Sequence, residues 1–400
     1  MATENEAKNK HGNSSKNNLA YILDFAKEIG YIKRIVLGYK LGMEGYADCM
    51  QFKAPFMIVF DDDTEWILYT TTSIRERVQE QYWNAEHLKN IDPAIKCAYL
   101  VYPDSISTKE KKIAVAKNNK IQNRIEYSTL EGIISQDRVF NLIEDYALRN
   151  KTPGQIRDIK GNNFEKRLAA TLSNPWNLEK WKTNEATLEG MHYGVFCSLL
   201  NTFELNPATV VNISATSNKT EIGLLPSGGP AKTDVYVEVD LDNGETLYYT
   251  ISCKRSSATS VSVHQYSADS FADVLDFENT ELRRLLNLFQ SFGAVQDRNG
   301  NRYISEEDET ALTEALEPYV QKLTEWVIGG RHGDGDPIKQ WANYIVIYDN
   351  NDGSTSIHTV DDYCTMLMSS DTNGKFGTPF TWTYQGTRGT NIQLKSKIFK

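Results

Sequence analysis

Apolar and polar residues alternate along two neighbouring segments of the chain, residues 233–240 and 247–254. A period of two is typical of a β-strand, because successive side chains point to opposite faces. The dipeptide Asn243-Gly244 between the segments favours a tight turn, so the pattern predicts an antiparallel hairpin. Asp234 opens the first strand, while Ser252 and Lys254 share one face of the second. Folding of the hairpin is therefore expected to bring the Asp234 carboxylate near the Lys254 amine.

The first part of the chain shows a helical pattern followed by strand-like patterns. Helical spacing of apolar residues is seen at 19–35, and a second helix is predicted after Ser73, which can serve as its N-cap. Strands are predicted at 45–52, 56–60, 66–72 and 97–102. The polar, turn-forming stretch at 150–155 is the best candidate for a domain boundary.

Beyond that boundary the patterns predict several helices and then a β-rich end. Helices are expected from about residue 161 and over 190–203, 268–276 and 280–328. Pro318 is expected to kink or divide the last of these. We predict an α/β protein with three parts: a polar, disordered tail at 1–18, an N-terminal α/β domain at 19–150, and a larger domain at 155–400 with a β-rich C-terminal part.

Composition restricts the class of protein only mildly. Hydrophobic residues make up 40% and charged residues 24%, as in ordinary globular proteins. No apolar run approaches the roughly 18 residues of a membrane span, and the polar N-terminus does not resemble a secretory signal. The five cysteines occur singly, which favours neither a disulfide framework nor a zinc site and predicts a cytoplasmic protein. The net charge of −10 does not exclude a nucleic-acid partner, since phosphate contacts depend on local basic clusters.

The predicted hairpin places the residues needed for phosphodiester cleavage together. A carboxylate such as Asp234 can hold a divalent cation, and a lysine such as Lys254 can orient water and stabilise negative charge. Cys253 lies between Ser252 and Lys254, so its side chain is expected to point to the opposite face, into the core.

An Asp opening one strand, with a lysine closing the next, resembles the motif of the PD-(D/E)xK nuclease superfamily. The surrounding segments 228–234, 254–257 and 262–265 look like the pattern of the MspI-type restriction endonucleases, and the resemblance is most specific over about residues 160–290. Ser252 departs from the usual motif, because it stands where Glu or Asp is normally found and removes one metal-ligating carboxylate.

The resemblance implies a nuclease core with a mixed sheet flanked by helices, Mg²⁺ as cofactor and double-stranded DNA as substrate. It implies that 155–400 is the catalytic domain and that 19–150 is an accessory or DNA-binding domain. It assigns catalysis to Asp234, Ser252, Lys254 and Glu165, with Asp234 and Glu165 as metal ligands. It also implies a cognate DNA methyltransferase in the same host, no membrane association, and action as a monomer or homodimer. Residues with suitable donors for DNA contact are Lys232, Arg255, Ser256, Ser257, His264, Gln265, Arg331, Arg388 and Lys395.

Two questions stay open from the sequence. The first 150 residues could be a degenerate nuclease-like copy, with Thr70-Thr71-Thr72 where the motif lysine would fall, or an unrelated accessory domain. The whole chain could be a type II restriction endonuclease, a nuclease of the same fold without tight sequence choice, or a catalytically inactive DNA-binding protein. Ser252 is the residue that keeps the inactive alternative open.

Overall fold

The computed structural model describes residues 4–42, 51–370 and 374–399, which form two compact units. The first unit comprises the described residues up to 159 together with 173–197, and the second comprises 160–172 and 198–399. The predicted strand at 45–52 lies mostly outside the described residues, as does Cys49.

The first unit contains a five-stranded mixed sheet with helices on both faces. The strands are in the order β1-β2-β3-β4-β5. The pairs β1–β2 and β2–β3 are antiparallel, and the pairs β3–β4 and β4–β5 are parallel. The elements are α1 (Glu4–Glu28), β1 (Arg34–Gly42), β2 (Gln51–Val59), β3 (Glu65–Thr70), α2 (Ile74–Ile91), β4 (Ile95–Tyr102), α3 (Thr108–Gln122), β5 (Gly132–Ser135), α4 (Gln136–Leu148), the start of α5 (Pro153–Leu172), α6 (Pro175–Thr183) and the start of α7 (Tyr193–Thr202).

Successive side chains of β3 point to opposite faces of the sheet, and helices cover both faces. Ile67 and Tyr69 belong to a core cluster with Leu88 of α2 and Ile121 of α3. The neighbouring Trp66 faces the other side, where its ring contacts Tyr146 of α4 at 4.9 Å. Both faces of the strand are therefore apolar and buried, as expected where helices cover a sheet on both sides.

The second unit also contains a five-stranded mixed sheet, together with a smaller three-stranded one. The larger sheet has the order β11-β10-β8-β7-β6, in which β8 and β10 are parallel and the other pairs are antiparallel; the smaller has the order β12-β13-β9. The elements are the rest of α5 and α7, then β6 (Val210–Thr216), α8 (Lys219–Ile222), β7 (Val235–Leu241), β8 (Thr246–Ser256), β9 (Ser260–Tyr266), α9 (Ala268–Asp276), α10 (Thr280–Phe292), α11 (Glu306–Leu316), a 3₁₀ turn (Glu317–Tyr319), α12 (Val320–Gly329), β10 (Tyr344–Asp349), β11 (Thr355–Thr359), α13 (Val360–Ser369), β12 (Thr381–Thr383) and β13 (Ile392–Lys397).

The helices of the second unit follow the predicted apolar stripes. Leu282, Leu285, Leu286 and Phe289 are buried along α10. The predicted effect of Pro318 is confirmed, because α11 ends at Leu316 and a 3₁₀ turn separates it from α12. Among the described residues, no helix is both long enough and apolar enough to cross a membrane.

The segment at 4–18 differs from the predicted disordered tail, since it forms the N-terminal part of α1. Polar composition suggested solvent exposure, but Ser14, Ser15 and Asn18 are buried. Gln136 of α4 holds this part of the helix: its Oε1 accepts from Asn18 Nδ2 at 2.6 Å, and its Nε2 donates to the Ser15 carbonyl at 2.7 Å. Paired polar side chains therefore replace the apolar contacts that the sequence lacks here.

Residues 173–197 were predicted to belong to the catalytic domain, whereas they pack with the N-terminal unit. The Glu189 amide donates to Ser14 Oγ at 2.7 Å, and the His192 amide donates to Asp137 Oδ1 at 3.2 Å. The chain is therefore not divided cleanly at 150–155, because 160–172 belong to the second unit and 173–197 return to the first.

Loss of the buried Asn18–Gln136 hydrogen bond is expected to lower the stability of the protein. We expect Asn18→Ala to destabilise the protein by roughly 1–3 kcal/mol, because the Gln136 carbonyl oxygen would be left buried without a donor. The exposed neighbour Asn17→Ala is the matched control and should change stability by less than about 0.5 kcal/mol. Urea unfolding measures both; equal midpoints for the two variants would contradict the anchoring role.

Candidate active site

The predicted hairpin is confirmed as β7 and β8, which pair antiparallel from Val235 opposite Ile251 to Asp240 opposite Thr246. Gly244 has a φ of +84° in the connecting turn, a conformation that glycine adopts without steric cost. The Asp234 amide donates to the Ile251 carbonyl at 2.8 Å, so the pairing continues one residue beyond β7. Continuation of this register places Asp234 opposite Ser252.

One oxygen of the Asp234 carboxylate is held by β8. Its Oδ2 accepts from the Cys253 amide at 2.7 Å and from Ser252 Oγ at 3.2 Å, and it lies 3.5 Å from Lys254 Nζ. Within the described part of the chain, no hydrogen bond goes to Oδ1 of the same carboxylate. The hairpin therefore orients Asp234 while one of its oxygens stays available to a ligand.

Lys254 is positioned by both the neighbouring carboxylate and its own strand. Its Nζ donates to the Cys253 carbonyl at 3.0 Å and forms the ion pair with Asp234 at 3.5 Å. Each side chain of this pair is 20% exposed, so the two charges are partly shielded from water but remain accessible. The juxtaposition predicted from the alternation of the two strands is confirmed.

Glu165 of α5 supplies a second carboxylate to this region. Burial raises the pKa of Glu165, and the charge of Asp234 raises it further, while nearby Lys219, Lys254 and Lys166 act in the opposite direction. The side chain is half-buried. Two carboxylates thus repel each other in a partly desolvated site, an arrangement that a bound cation would relieve.

The oxygen donors of this pair fit a hard divalent cation such as Mg²⁺. Mg²⁺ is commonly held by one or two carboxylates and completes its shell with water and phosphate oxygens. Over residues 4–42, 51–370 and 374–399, no group of three or more His, Cys, Asp and Glu side chains is arranged as a metal site. Glu165 and Asp234 would therefore form an open site, with Ser252 contributing a hydroxyl that donates to Asp234.

Two of the predicted DNA contacts have buried polar groups. Lys232 Nζ donates to the carbonyls of Val263 and Val327, both at 2.6 Å, and burial lowers the pKa of Lys232 to about 7. His264 is buried, with its ring 4.1 Å from that of Trp326, and burial holds its pKa well below the ordinary value. The half-buried Lys232 is held by two main-chain carbonyls and His264 is buried, which argues against DNA contact by either side chain.

Two predicted arginine contacts are already engaged within the protein. Arg255 Nε donates to Asn350 Oδ1 at 2.6 Å, and its guanidinium also donates to the Lys160 carbonyl at 3.2 Å. Arg331 forms an ion pair with Asp361. These contacts assign both arginines a part in holding the second unit together.

The remaining predicted DNA contacts are accessible. Gln265 of β9 and Lys395 of β13 are exposed on the three-stranded sheet, in which Gln265 pairs with Gln393 and Lys395 pairs with Ser262. Arg388 is exposed and lies over the rings of Tyr303 and Tyr384. Ser256 and Ser257 follow Lys254 at the end of β8, half-buried and exposed respectively.

Sequence reasoning missed Lys219, whose charge acts on Glu165. It follows β6 after Asn218, which caps the short helix α8. The pairing of Thr216 with Tyr236 brings this end of β6 beside the start of β7. An isolated lysine after a strand carries no distinctive signal, so only the strand register could have indicated it.

Comparisons with known proteins agree on one family. Residues 140–396 match the family model described as restriction endonuclease MspI. The type II restriction enzyme BsuFI of Bacillus subtilis is 28% identical over 408 aligned positions, covering 99% of both chains. The type II restriction enzyme MspI of Moraxella sp is 23% identical over 249 positions, covering 60% of this chain and 91% of that protein.

A solved structure shows the same fold. The crystal structure of MspI in complex with its cognate DNA is similar with a TM-score of 0.53 at 21% identity, covering 64% of this chain and 98% of MspI. Because the family model spans more than half of the sequence, this chain belongs to the MspI restriction endonuclease family. It is a type II restriction endonuclease, a class of site-specific deoxyribonucleases. The resemblance to the MspI-type restriction endonucleases inferred from the sequence is confirmed.

Because the pKa of Glu165 is raised in the folded protein, we expect this residue to make stability depend on pH. A carboxyl group that binds its proton more tightly when folded makes the protein less stable as pH rises from its unfolded pKa through its folded pKa. We therefore expect Glu165→Gln to stabilise the apo protein, and to do so more at pH 8 than at pH 5.

Urea unfolding in EDTA at the two pH values measures this difference. The exposed Glu278→Gln is the matched control in the same unit and should leave the pH dependence unchanged. A gain in stability that is equal at both pH values would contradict the assigned repulsion.

Proposed function

We propose that this enzyme hydrolyses phosphodiester bonds of double-stranded DNA at a short specific sequence, with Mg²⁺ held by Asp234 and Glu165. The main support for this proposal is the Asp234–Lys254 pair, 3.5 Å apart on adjacent strands, together with the carboxyl group of Glu165, on which Asp234 acts. The intact pair favours catalysis over the alternative of an inactive DNA-binding protein. MspI, which this chain resembles in fold, has been crystallised with its cognate DNA.

Asp234 is the residue best placed to hold the cation. The Cys253 amide and the Ser252 hydroxyl fix its Oδ2, so Oδ1 is presented in a defined direction. Glu165 approaches from α5 and adds the second oxygen donor. When bound, Mg²⁺ would neutralise charge on the scissile phosphate and increase the acidity of the attacking water.

Lys254 contributes a fixed positive charge to the reaction. Its ammonium is held by the Cys253 carbonyl and Asp234, and needs little reorganisation as negative charge develops on the phosphate. It can also orient the attacking water through its remaining N–H donor. Ser252 positions Asp234, which gives the neutral residue a role despite its departure from the family motif.

The proposed DNA surface combines the end of β8 with the three-stranded sheet. Ser256 and Ser257 can donate to phosphate oxygens near Lys254, whereas Gln265, Arg388 and Lys395 have the reach for base edges or phosphates. Lys232, His264, Arg255 and Arg331 are left out of this surface because of the internal contacts described above.

The broader proposals follow from the enzyme class. The second unit would be a PD-(D/E)xK nuclease core in which serine replaces the second motif carboxylate. A cognate methyltransferase would protect the host DNA, and both enzymes would act in the cytoplasm. The restriction enzyme would function as a monomer or a homodimer.

Asp234→Asn tests the proposed function directly. We expect DNA cleavage to be abolished, because the amide cannot replace the negative charge that holds the cation. Binding to DNA in EDTA should stay within a few fold of wild type. The exposed Glu238→Gln on β7 is the matched control. Plasmid cleavage with Mg²⁺ gives discrete bands for a site-specific enzyme, and wild-type activity of Asp234→Asn would contradict the assignment.

Lys254→Ala should lower the cleavage rate by roughly 10²–10³, as expected for loss of a preorganised charge in the transition state. The exposed Lys375→Ala, in the same unit, should cleave like wild type. Single-turnover cleavage of a plasmid measures both rates. If Lys254→Ala stayed active while Arg255→Ala lost the chemical step and remained folded, the role given to Lys254 would belong to its neighbour.

A further inference from the structure

The first unit carries a strongly basic surface on α3 although the whole chain has a net charge of −10. Residues 107–124 contain six cations and one acid. We name the five exposed cations the α3 cation surface; they are Lys109, Lys111, Lys112, Lys120 and Arg124. Such a local concentration of positive charge is what attracts a polyanion, irrespective of net charge.

The single acid of α3 does not neutralise this surface. Glu110 turns toward α2, where its Oε2 accepts from the amides of Ile74 at 2.6 Å and Arg75 at 3.3 Å. Lys120 pairs with Glu126 at 2.7 Å. For Lys109, Lys112 and Arg124, no ion pair lies within the described part of the chain, whereas the charge of Lys111 acts on the Asp104 carboxyl. Three cations of the surface are therefore available to an external anion.

This arrangement is not the one that helix stability would favour. Lys109 and Lys111 lie near the N-terminus of α3, where the macrodipole disfavours positive charge. Lys109 and Lys112 are three positions apart, and like charges at that spacing repel each other. The exposed side of the helix continues with Asn119 and Asn123, whose amides can also contact phosphates.

The sheet beneath α3 repeats the strand arrangement of the catalytic unit. Strands β1-β2-β3-β4 and β6-β7-β8-β10 have the same order and the same directions, two antiparallel pairs followed by a parallel pair. The hairpin β2–β3 nevertheless lacks an acid–lysine pair, because Lys53 lies near its open end and Glu65 lies beside the turn. The described residues of this hairpin therefore carry no counterpart of the Asp234–Lys254 pair.

The comparisons with known proteins show that α3 lies outside the part of the chain that resembles MspI. The structural similarity covers 98% of the MspI chain but only 64% of this chain, and the family match begins at residue 140. Helix α3 lies outside that match, whereas the likeness to BsuFI extends over 99% of the chain. The residues before 140, which include α3, are thus an addition relative to MspI, shared with another restriction enzyme.

We propose that the α3 cation surface binds the phosphate backbone of duplex DNA, as a second contact in addition to the one made by the catalytic unit. The proposal rests on the enzyme acting on DNA, since the surface itself selects only a polyanion. Contacts of this kind are independent of sequence and increase the affinity for DNA. The affinity they provide falls steeply as salt is added. The first unit would therefore hold the enzyme on DNA without reading bases.

The test compares two full-length double variants that carry the same change in charge. Lys109→Glu/Lys112→Glu alters the α3 cation surface, and Lys16→Glu/Lys27→Glu alters two exposed lysines of α1 in the same unit. Binding to a fluorescent random-sequence duplex is measured in EDTA over a range of salt concentrations. We expect the α3 variant to bind roughly tenfold more weakly, with the slope of log K against log salt reduced by about 2.

The α1 variant should keep the wild-type slope. Equal slopes for wild type and the α3 variant would overturn the proposal, and so would equal losses in the two variants, because a net-charge effect would then suffice. Lys109→Gln/Lys112→Gln, which preserves helix propensity, should show a smaller change in the same direction. Plasmid cleavage by wild type with Mg²⁺ is scored separately, so failure of the nuclease assignment is distinguishable from failure of the second contact.

Discussion

The partly buried carboxyl groups of Glu165 and Asp234 are the feature on which the candidate active site depends. Burial, and then the charge of Asp234, raises the pKa of Glu165, so the ionised form of Glu165 is unfavourable unless a cation offsets its charge. Asp234 is fixed by the β8 backbone and Ser252. Arg255 ties the Lys160 carbonyl of α5 to Asn350 after β10, and so helps to keep the helix that carries Glu165 near the sheet. An arginine that the sequence suggested for DNA thus supports the two carboxyl groups of the candidate site instead.

The parts of the structure that could be predicted are those encoded over short stretches of sequence. Alternation and Asn243-Gly244 specify the β7–β8 hairpin, and its register brings Lys254 to Asp234 without any long-range information. The apolar stripes of α10 and the break at Pro318 are equally local. Burial of Cys253 follows from the same alternation. Each feature depends on a periodicity that steric and hydrophobic effects impose within one element.

The parts that could not be predicted depend on contacts between distant segments. A polar N-terminus was expected to be disordered because its partner, Gln136, lies more than a hundred residues away. Lys232 and His264 are residue types that often contact DNA. Only the tertiary structure shows that Lys232 is held by the Val263 and Val327 carbonyls and that His264 packs against Trp326. The assignment of 173–197 to the first unit has the same origin, because nothing within that segment indicates Ser14 or Asp137 as partners.

The two five-stranded sheets show how fold and catalysis are separately encoded. Strand order and direction follow from backbone pairing and from apolar residues on the covered faces, and these are present in both units. The proposed cleavage needs in addition an acid and a lysine close together on one hairpin, which only β7–β8 provides among the described hairpins of these two sheets. A sheet that carries no such pair keeps its stability, because those side chains contribute little to its core. The first unit therefore keeps its sheet without this pair, whereas the sheet of the second unit carries Asp234 and Lys254, with the pKa of Glu165 raised by burial and by Asp234.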